Sequence, residues 1–416
     1  MRKIFTFFLI FFCTAYSLTV EEAIQLAEKN HPYLLQQKST LGSYRYDYIS
    51  SYGSFLPSVS VDYTYSRYRN SEDYFSRNYS LTFYWTVYNA GQNILINRIK
   101  KAMFSSFEKN FEETLLDIHY QVKKAYYQAC ADKEILRFRK IQLKAAQKNF
   151  DMAKKKLKLG LVKKSDYLQA KVRLENVRYM LVQAENEYKK SIANLNSLIG
   201  FPIDRKTEVD STVIVKFEDD KIPDFDTIKK LALKRPIFKQ YRYDLKASEL
   251  QVKQSLLSFT PSVYLSYSIN RDYSSLYGSS DYNTFRVGLS WTVFEGLKRY
   301  YNYLSARENE RSYRYRLKEL KRQIILNLYS TYLDLKTAYK NVNVAKTLLK
   351  EAEHNYKQAL GEYKVGKGDI ISLVTAESAL ADAHETYVQS LLNIAITRAV
   401  LERGIGMEKI PSGKEK

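Results

Sequence analysis

The stretch FLPSVSVDYTY, Phe55 to Tyr65, returns about two hundred residues later as FTPSVYLSYSI, Phe259 to Ile269. In both, an aromatic-x-Pro-Ser turn opens a run in which apolar and hydroxyl side chains alternate. Such a period of two marks a strand with one apolar and one polar face. In the first copy Val59, Val61, Tyr63 and Tyr65 fall on one side, and Ser58, Ser60, Asp62, Thr64 and Ser66 on the other. A partner strand alternates Tyr79, Leu81, Phe83, Trp85 and Val87 with Ser80, Thr82, Tyr84 and Thr86. The second copy repeats the pattern with Val263, Leu265, Tyr267 and Ile269, then with Phe285, Val287, Leu289, Trp291 and Val293.

The echo extends to nearly the whole chain at an offset of 204 to 206 residues. Pro32 falls on Pro236, Pro57 on Pro261, Tyr126 on Tyr332, Gly160 on Gly366, Ala170 on Ala376 and Gly200 on Gly406. Self-similarity at one fixed period means tandem copies of one unit. The expected division is a signal peptide over 1–17, a first repeat over 18–200, a polar, Pro-bounded connector over 201–222, a second repeat over 223–406 and a tail over 407–416.

Outside the strands the period is helical. Only 14 Gly and 7 Pro punctuate 416 residues, so elements should be long. Phe111, Leu115, Ile118, Val122, Ala125 and Ala129 step by four and three, as do Ile324, Leu328, Thr331, Leu335, Ala338, Val342, Ala345 and Leu349. A second seam runs from Tyr167 through Ala170, Leu174 and Val177 to Leu195, echoed from Leu373 to Leu401. Many of these positions are small, which lets helices approach closely. A helix from about Ile94 to Lys156 would be roughly 95 Å long. Each repeat opens with a shorter helix; in TVEEAIQLAEKN, Thr19 and Glu22 have the spacing of a capping box, and Pro32 interrupts the helix.

The N-terminus MRKIFTFFLIFFCTAYS has basic Arg2 and Lys3, an apolar run, and small residues at Ala15 and Ser17, as a secretory signal has. Cys13 leaves a lipoprotein reading open, which bulky Phe12 before it weakens. Once the signal is cut Cys130 stands alone, so no intrachain disulfide forms. No later window has the about 20 consecutive apolar residues of a membrane helix, so any crossing must be made by strands. The net charge of +21 would suit nucleic acid, anionic lipid or a solvated surface. Export argues against nucleic acid, and the basic residues interleave with acids, as in KKAYYQACADKEILRFRK, as on a solvated helical face.

Four strands of about ten residues, each with one apolar face, have the length and alternation of membrane β-strands. Four cannot close a barrel, and an open edge in lipid leaves backbone groups unpaired. Copies of the chain should therefore join their strands into one barrel, with Val59, Val61, Tyr63, Leu81, Phe83, Trp85, Val263, Leu265, Val287, Leu289 and Trp291 toward lipid.

As a set, VEEAIQLAEKNHPYL, the FLPS turn into a strand, WTVYNAGQN, the tips KLKLGLVKKSDYLQA and EYKVGKGDIISLVTA, and the closing NSLIG and ERGIG resemble the TolC family of outer-membrane efflux channels. The resemblance implies an α+β membrane protein: a homotrimer with a 12-stranded β-barrel in the outer membrane, continued by a 12-helix α-barrel across the periplasm. It implies an exit duct served by a periplasmic adaptor (membrane fusion) protein and an inner-membrane transporter of RND, MFS or ABC type. Type I protein secretion is the alternative use of the same duct; a soluble periplasmic coiled-coil adaptor or scaffold is the remote one. By the same resemblance Gly160, Leu161, Val162, Lys163, Gly366, Lys367 and Gly368 contact the adaptor, while Asp166, Tyr363, Asp369, Ser372 and Thr375 surround the periplasmic gate. An arginine and two aspartates that the family can carry after the second tip glycine are here Gly368, Ser372 and Thr375, so its acidic ring is missing. Asp166 and Asp369 either ring the pore or cap helices, and Lys163, Lys164 and Lys367 suit an anion-admitting tip.

No enzyme, cofactor or metal is expected. His31, His119, His354 and His384 lack paired-ligand spacing, Cys130 has no evident nucleophile partner, and no GxxxxGK[ST] motif is present. Packing or surface roles are expected for each.

Overall fold

The computed structural model describes residues 17–69, 73–217, 222–407 and 409. The signal-peptide reading therefore lies outside the described residues except at Ser17, and the tail outside them except at Met407 and Lys409. The chain divides into two compact units, one of Met1–Leu35, Thr114–Lys234 and Ile324–Lys416, the other of Gln36–Glu113 and Arg235–Gln323.

The second unit holds one antiparallel sheet of β1 (Ser58–Arg69), β2 (Asp73–Tyr88), β3 (Ser262–Ser274) and β4 (Gly278–Ser290), in the order β1-β2-β3-β4. Each hairpin is approached by a helix: α2 (Pro32–Ser50) before β1, and α6 (Pro236–Leu257) before β3. Proline opens both helices, where its missing N–H removes no helical bond. The switch to strand is not made at Pro57 itself. A 3₁₀ turn over Ser51–Phe55 intervenes, and after α6 two tight turns, Phe259 N–H to Leu256 O and Thr260 N–H to Leu257 O, do the same work. The prolines then hold the preceding residue extended, and the ladder begins at the next serine.

Trp291 and Val293, expected in the last strand, lie beyond it, because β4 ends at Ser290 opposite Ser262. Pro261 precedes Ser262 and has no N–H to continue the ladder. β2 does extend past the equivalent point, through a register shift between Thr86 and Tyr88.

The two long helices are α3 (Gln92–Lys158), of 67 residues, and α7 (Lys298–Val365), of 68. Neither contains Pro, and Gly361 is the sole Gly between them, so nothing interrupts the hydrogen-bond ladder. In the first unit their distal parts join α1 (Val20–Asn30), α4 (Lys164–Leu198), α5 (Phe225–Ala232) and α8 (Ile370–Ile405). The seams hold: Ile118, Val122, Ala125 and Ala129 are buried on α3, Leu335, Ala338, Val342 and Ala345 on α7, and Leu373, Ala376, Ala383, Ile394 and Leu401 on α8. The capping box of α1 forms as the spacing predicts, with the Glu22 carboxylate accepting from Thr19 N–H at 2.9 Å and the Thr19 hydroxyl from Glu22 N–H at 3.2 Å.

The connector is polar by composition yet packed. Val209 bridges to Leu18, Val209 and Ile214 are buried, and Tyr126 donates its hydroxyl to Leu18 O at 2.7 Å. At Gly200 the backbone has φ +76°, and an added Cβ would stand 2.5 Å from Asn30 Cβ. No other residue fits that junction.

Candidate functional site

Two regions carry the features expected of a channel, one in each unit. In the sheet, residues directly opposite share a face, so register decides which side chains gather. Val59 stands opposite Phe83, Phe83 opposite Tyr267, and Tyr267 opposite Phe285. Val61, Leu81 and Ile269 form the next row; Trp85, Leu265 and Val287 another; Val263 and Leu289 the last. All eleven residues read as lipid-facing are thus gathered on one side except Trp291, which lies past the strand end. The face is open in the single chain: Val61 is 79% exposed and Leu289 67%. The opposite side is polar, with the Thr82 and Ser268 hydroxyls 3.1 Å apart and Asn78 donating to Asp272.

Toward the hairpin ends the apolar face becomes aromatic and charged. Tyr63 and Tyr79 pack at 4.8 Å in the same row as the Arg271–Asp281 ion pair, and the Arg67–Asp73 pair lies beyond them, both pairs at 2.7 Å. At the helix-proximal end two tryptophans bound the band: Trp85 Nε1 donates to Phe55 O at 3.0 Å and Trp291 Nε1 to Phe259 O at 3.1 Å. Indoles anchored by a polar tip are suited to a membrane interface.

The other region is formed by the two helix-turn-helix tips. Gly160 (φ +69°) and Gly366 (φ +82°) take the left-handed conformation that ends a helix. Leu161 N–H returns to Lys156 O at 2.9 Å, and Lys367 and Gly368 N–H return to Glu362 O at 3.0 and 3.1 Å. Leu159, Leu161 and Val365 remain exposed, with Lys163, Lys164 and Lys367 around the turns, while Val162 is half-buried.

The five gate candidates separate. Asp166 is the third residue of its helix and accepts from Lys163 N–H at 3.3 Å. Asp369 is a true N-cap, accepting from Ser372 N–H at 2.7 Å, and this backbone donor chiefly holds its carboxyl below the usual range. Ser372 and Thr375 are exposed on α8. Tyr363 instead is buried among Ala153, Ala170, Ile370 and Leu373, which come from α3, α4 and α8. Its phenol is pushed up first by burial and then by the Asp166 charge, so these two are brought together.

The spacing argument missed what holds the tips. Lys156, one of a lysine run, lies 4.4 Å from the Tyr363 ring centre and donates to Tyr363 O. Deeper in the same unit Arg173 Nε donates to the Glu377 carboxylate at 3.2 Å, and Asn149 Nδ2 donates to its other oxygen at 3.2 Å. Both charges are under a tenth exposed, and burial raises the Glu377 pKa against the opposing effect of Arg173. Each flanks a seam position, Leu174 and Ala376, and nothing in the period marks that flank as buried. Cys130 donates Sγ–H to Asp210 O at 3.3 Å and is pushed up to about 12 by burial; His384 stacks on Phe138 at 3.8 Å and is lowered to about 4 by burial. His31 accepts from Tyr33 N–H at 3.2 Å, His119 meets Glu28 at 2.6 Å, and His354 is exposed near the C-terminal end of α7.

Comparison with known proteins agrees with this arrangement. Protein CyaE of Bordetella pertussis is 23% identical over 384 residues, which are 89% of this chain and 80% of that protein. Outer membrane protein TolC of Escherichia coli is 20% identical over 306 residues, covering 68% of this chain and 60% of TolC. The Campylobacter jejuni CmeC outer membrane channel superposes with a TM-score of 0.81 at 16% identity, over 95% of this chain and 87% of that one. The profile of outer membrane efflux proteins matches residues 23–201 and again 227–407, taking in both hairpins, both long helices and both tips; by that match the chain belongs to the outer membrane efflux protein family.

Proposed function

We propose that the chain is the exit duct of a tripartite efflux pump, passively conducting small molecules from a periplasmic adaptor and an inner-membrane transporter to the exterior. The observation that carries this is the sheet: four strands with one continuous apolar face, whose outer members β1 and β4 each keep an edge unpaired among the described residues. An edge in lipid would leave a row of N–H and C=O groups without partners at several kcal/mol each, so β1 of one copy pairs with β4 of the next. Three copies close a 12-stranded barrel, with the serine and threonine side facing water. Transport of this kind needs no chemistry from the duct; the transporter supplies the energy.

The tips are the ends open to partners in this reading. Gly160, Leu161, Val162, Lys163, Gly366, Lys367 and Gly368 meet the adaptor, and the residues just beyond, Asp166, Tyr363, Asp369, Ser372 and Thr375, border the gate. Exposed Leu159, Leu161 and Val365 within a lysine-rich rim support an apolar anchor at these turns. Lys163, Lys164 and Lys367 favour anions at the mouth.

The test is reconstitution of the purified protein into planar bilayers. A detergent-requiring trimer with ion conductance and an anion-favouring reversal potential, shifted toward cations in Lys163→Glu/Lys164→Glu, is expected. Extraction without detergent as a monomer, or trimers without conductance, would end the duct reading. A cation preference unchanged by those substitutions would end the anion assignment alone.

A further inference from the structure

Between α3 and α6 a groove of about 560 Å³ is lined by Arg98, Lys101, Lys246 and Lys253, with Glu249 the one carboxylate on its rim and Tyr243 beside it. Its volume falls in the range of roughly 300–1,000 Å³ typical of small-ligand sites. None of the four cations makes an ion pair among the described residues. Apart from Glu249, nearby acids are committed elsewhere: Asp47 to Lys100 at 3.1 Å, Glu112 to Lys109, Glu113 to Arg235, and Asp244 to the Ser106 hydroxyl at 2.5 Å. Four cations against the single carboxylate of Glu249 face one space over a floor of buried Ala102 and Leu250, a surplus of positive charge that an entering anion would offset.

The position narrows the anion. α3 starts at Gln92, just after β2 ends at Tyr88, and Arg98 lies roughly 9 Å along it at 1.5 Å per residue. α6 ends at Leu257, with Lys253 roughly 6 Å before that end. The polar layer of a bilayer extends roughly 5–8 Å beyond the hydrocarbon on each side. With the apolar band of the sheet in the membrane, flexible basic side chains at these two depths reach that layer. Guanidinium and ammonium groups converging there match a phosphate.

We propose that this groove binds a phosphate-bearing anion, namely the headgroup of an anionic phospholipid in the periplasmic leaflet of the outer membrane. The headgroup source rests on the membrane reading of the sheet; the anion site does not.

Delipidated full-length protein in neutral detergent would be titrated with phosphatidylglycerol, phosphatidylethanolamine and inorganic phosphate, following bound lipid by native mass spectrometry and Tm. Phosphatidylglycerol is expected to bind at least about tenfold tighter than the other two and to weaken with salt. Arg98→Gln/Lys253→Gln should lower its affinity about tenfold or more, with helicity and bilayer conductance kept. Lys246→Gln alone, smaller in effect, serves if the double variant misfolds. Equal, substitution-sensitive binding of inorganic phosphate would uphold the anion site and overturn the lipid source. Phosphatidylglycerol affinity unmoved by every substitution would overturn the site, while conductance, measured separately, reports on the duct.

Discussion

Trp85 donates its indole N–H to the carbonyl of Phe55, the residue that opens the first Pro-Ser turn. Trp291 and Phe259 repeat the bond in the second half of the chain, although Trp85 lies within a strand and Trp291 beyond one. Each bond ties the start of a hairpin to its return. Trp85→Phe and Trp291→Phe should each cost about 1 kcal/mol, the usual net value of such a bond. The two should add, because they share no partner. Denaturant midpoints of the three variants in one detergent check this; a neutral double variant would show that the bonds do not hold the turns.

Tyr363 is buried, yet its hydroxyl oxygen has no hydrogen-bond partner among the described residues. Removing an unsatisfied hydroxyl is neutral or stabilising, so Tyr363→Phe should leave Tm unchanged or higher. Tyr363→Ala should cost about 3–5 kcal/mol through the cavity left among Ala153, Ile370 and Leu373. If Tyr363→Phe instead alters conductance without altering Tm, the hydroxyl acts at the gate and not in packing.

The Arg173–Glu377 pair predicts a pH signature. Burial holds the Glu377 pKa above its ordinary value, so the folded state retains a proton that the unfolded chain releases. The stability contributed by this group is full below the ordinary carboxyl pKa and declines as pH rises through the raised one. Arg173→Met removes the group that opposes this shift. The variant should match the wild type near pH 4 and fall behind it toward pH 7, by up to about 3 kcal/mol. Unfolding curves at several pH values give the difference directly, and a gap that does not depend on pH would count against the pair.

Gly200 meets Asn30 where the first repeat closes. Gly200→Ala places a Cβ into Asn30 in a left-handed backbone and should cost well over 1 kcal/mol. Gly160→Ala has the same strain but open space around it, so it should cost about 1–2 kcal/mol. Thermal melts that rank the two variants in the reverse order would contradict the close approach.

How much the sequence alone determined follows from the range of each signal. Alternation at Val59, Val61 and Tyr63, seams at Val122 and Val342, the capping box of Thr19 and the left-handed turns at Gly160 and Gly366 are local, and one strand or one helical turn suffices to read them. The duplication extended each reading to its echo. Tertiary structure decided what depends on partners distant in the chain. Register placed Val59, Phe83, Tyr267 and Phe285 in one row, and the absent N–H of Pro261 stopped β4 short of Trp291. Arg173 and Lys156 look like other surface cations until packing sets them against Glu377 and Tyr363, because a charge's cost and its pKa depend on who surrounds it. The basic groove between α3 and α6 is likewise invisible to periodicity: its four cations come from two helices far apart in sequence, and only their shared space makes them a site.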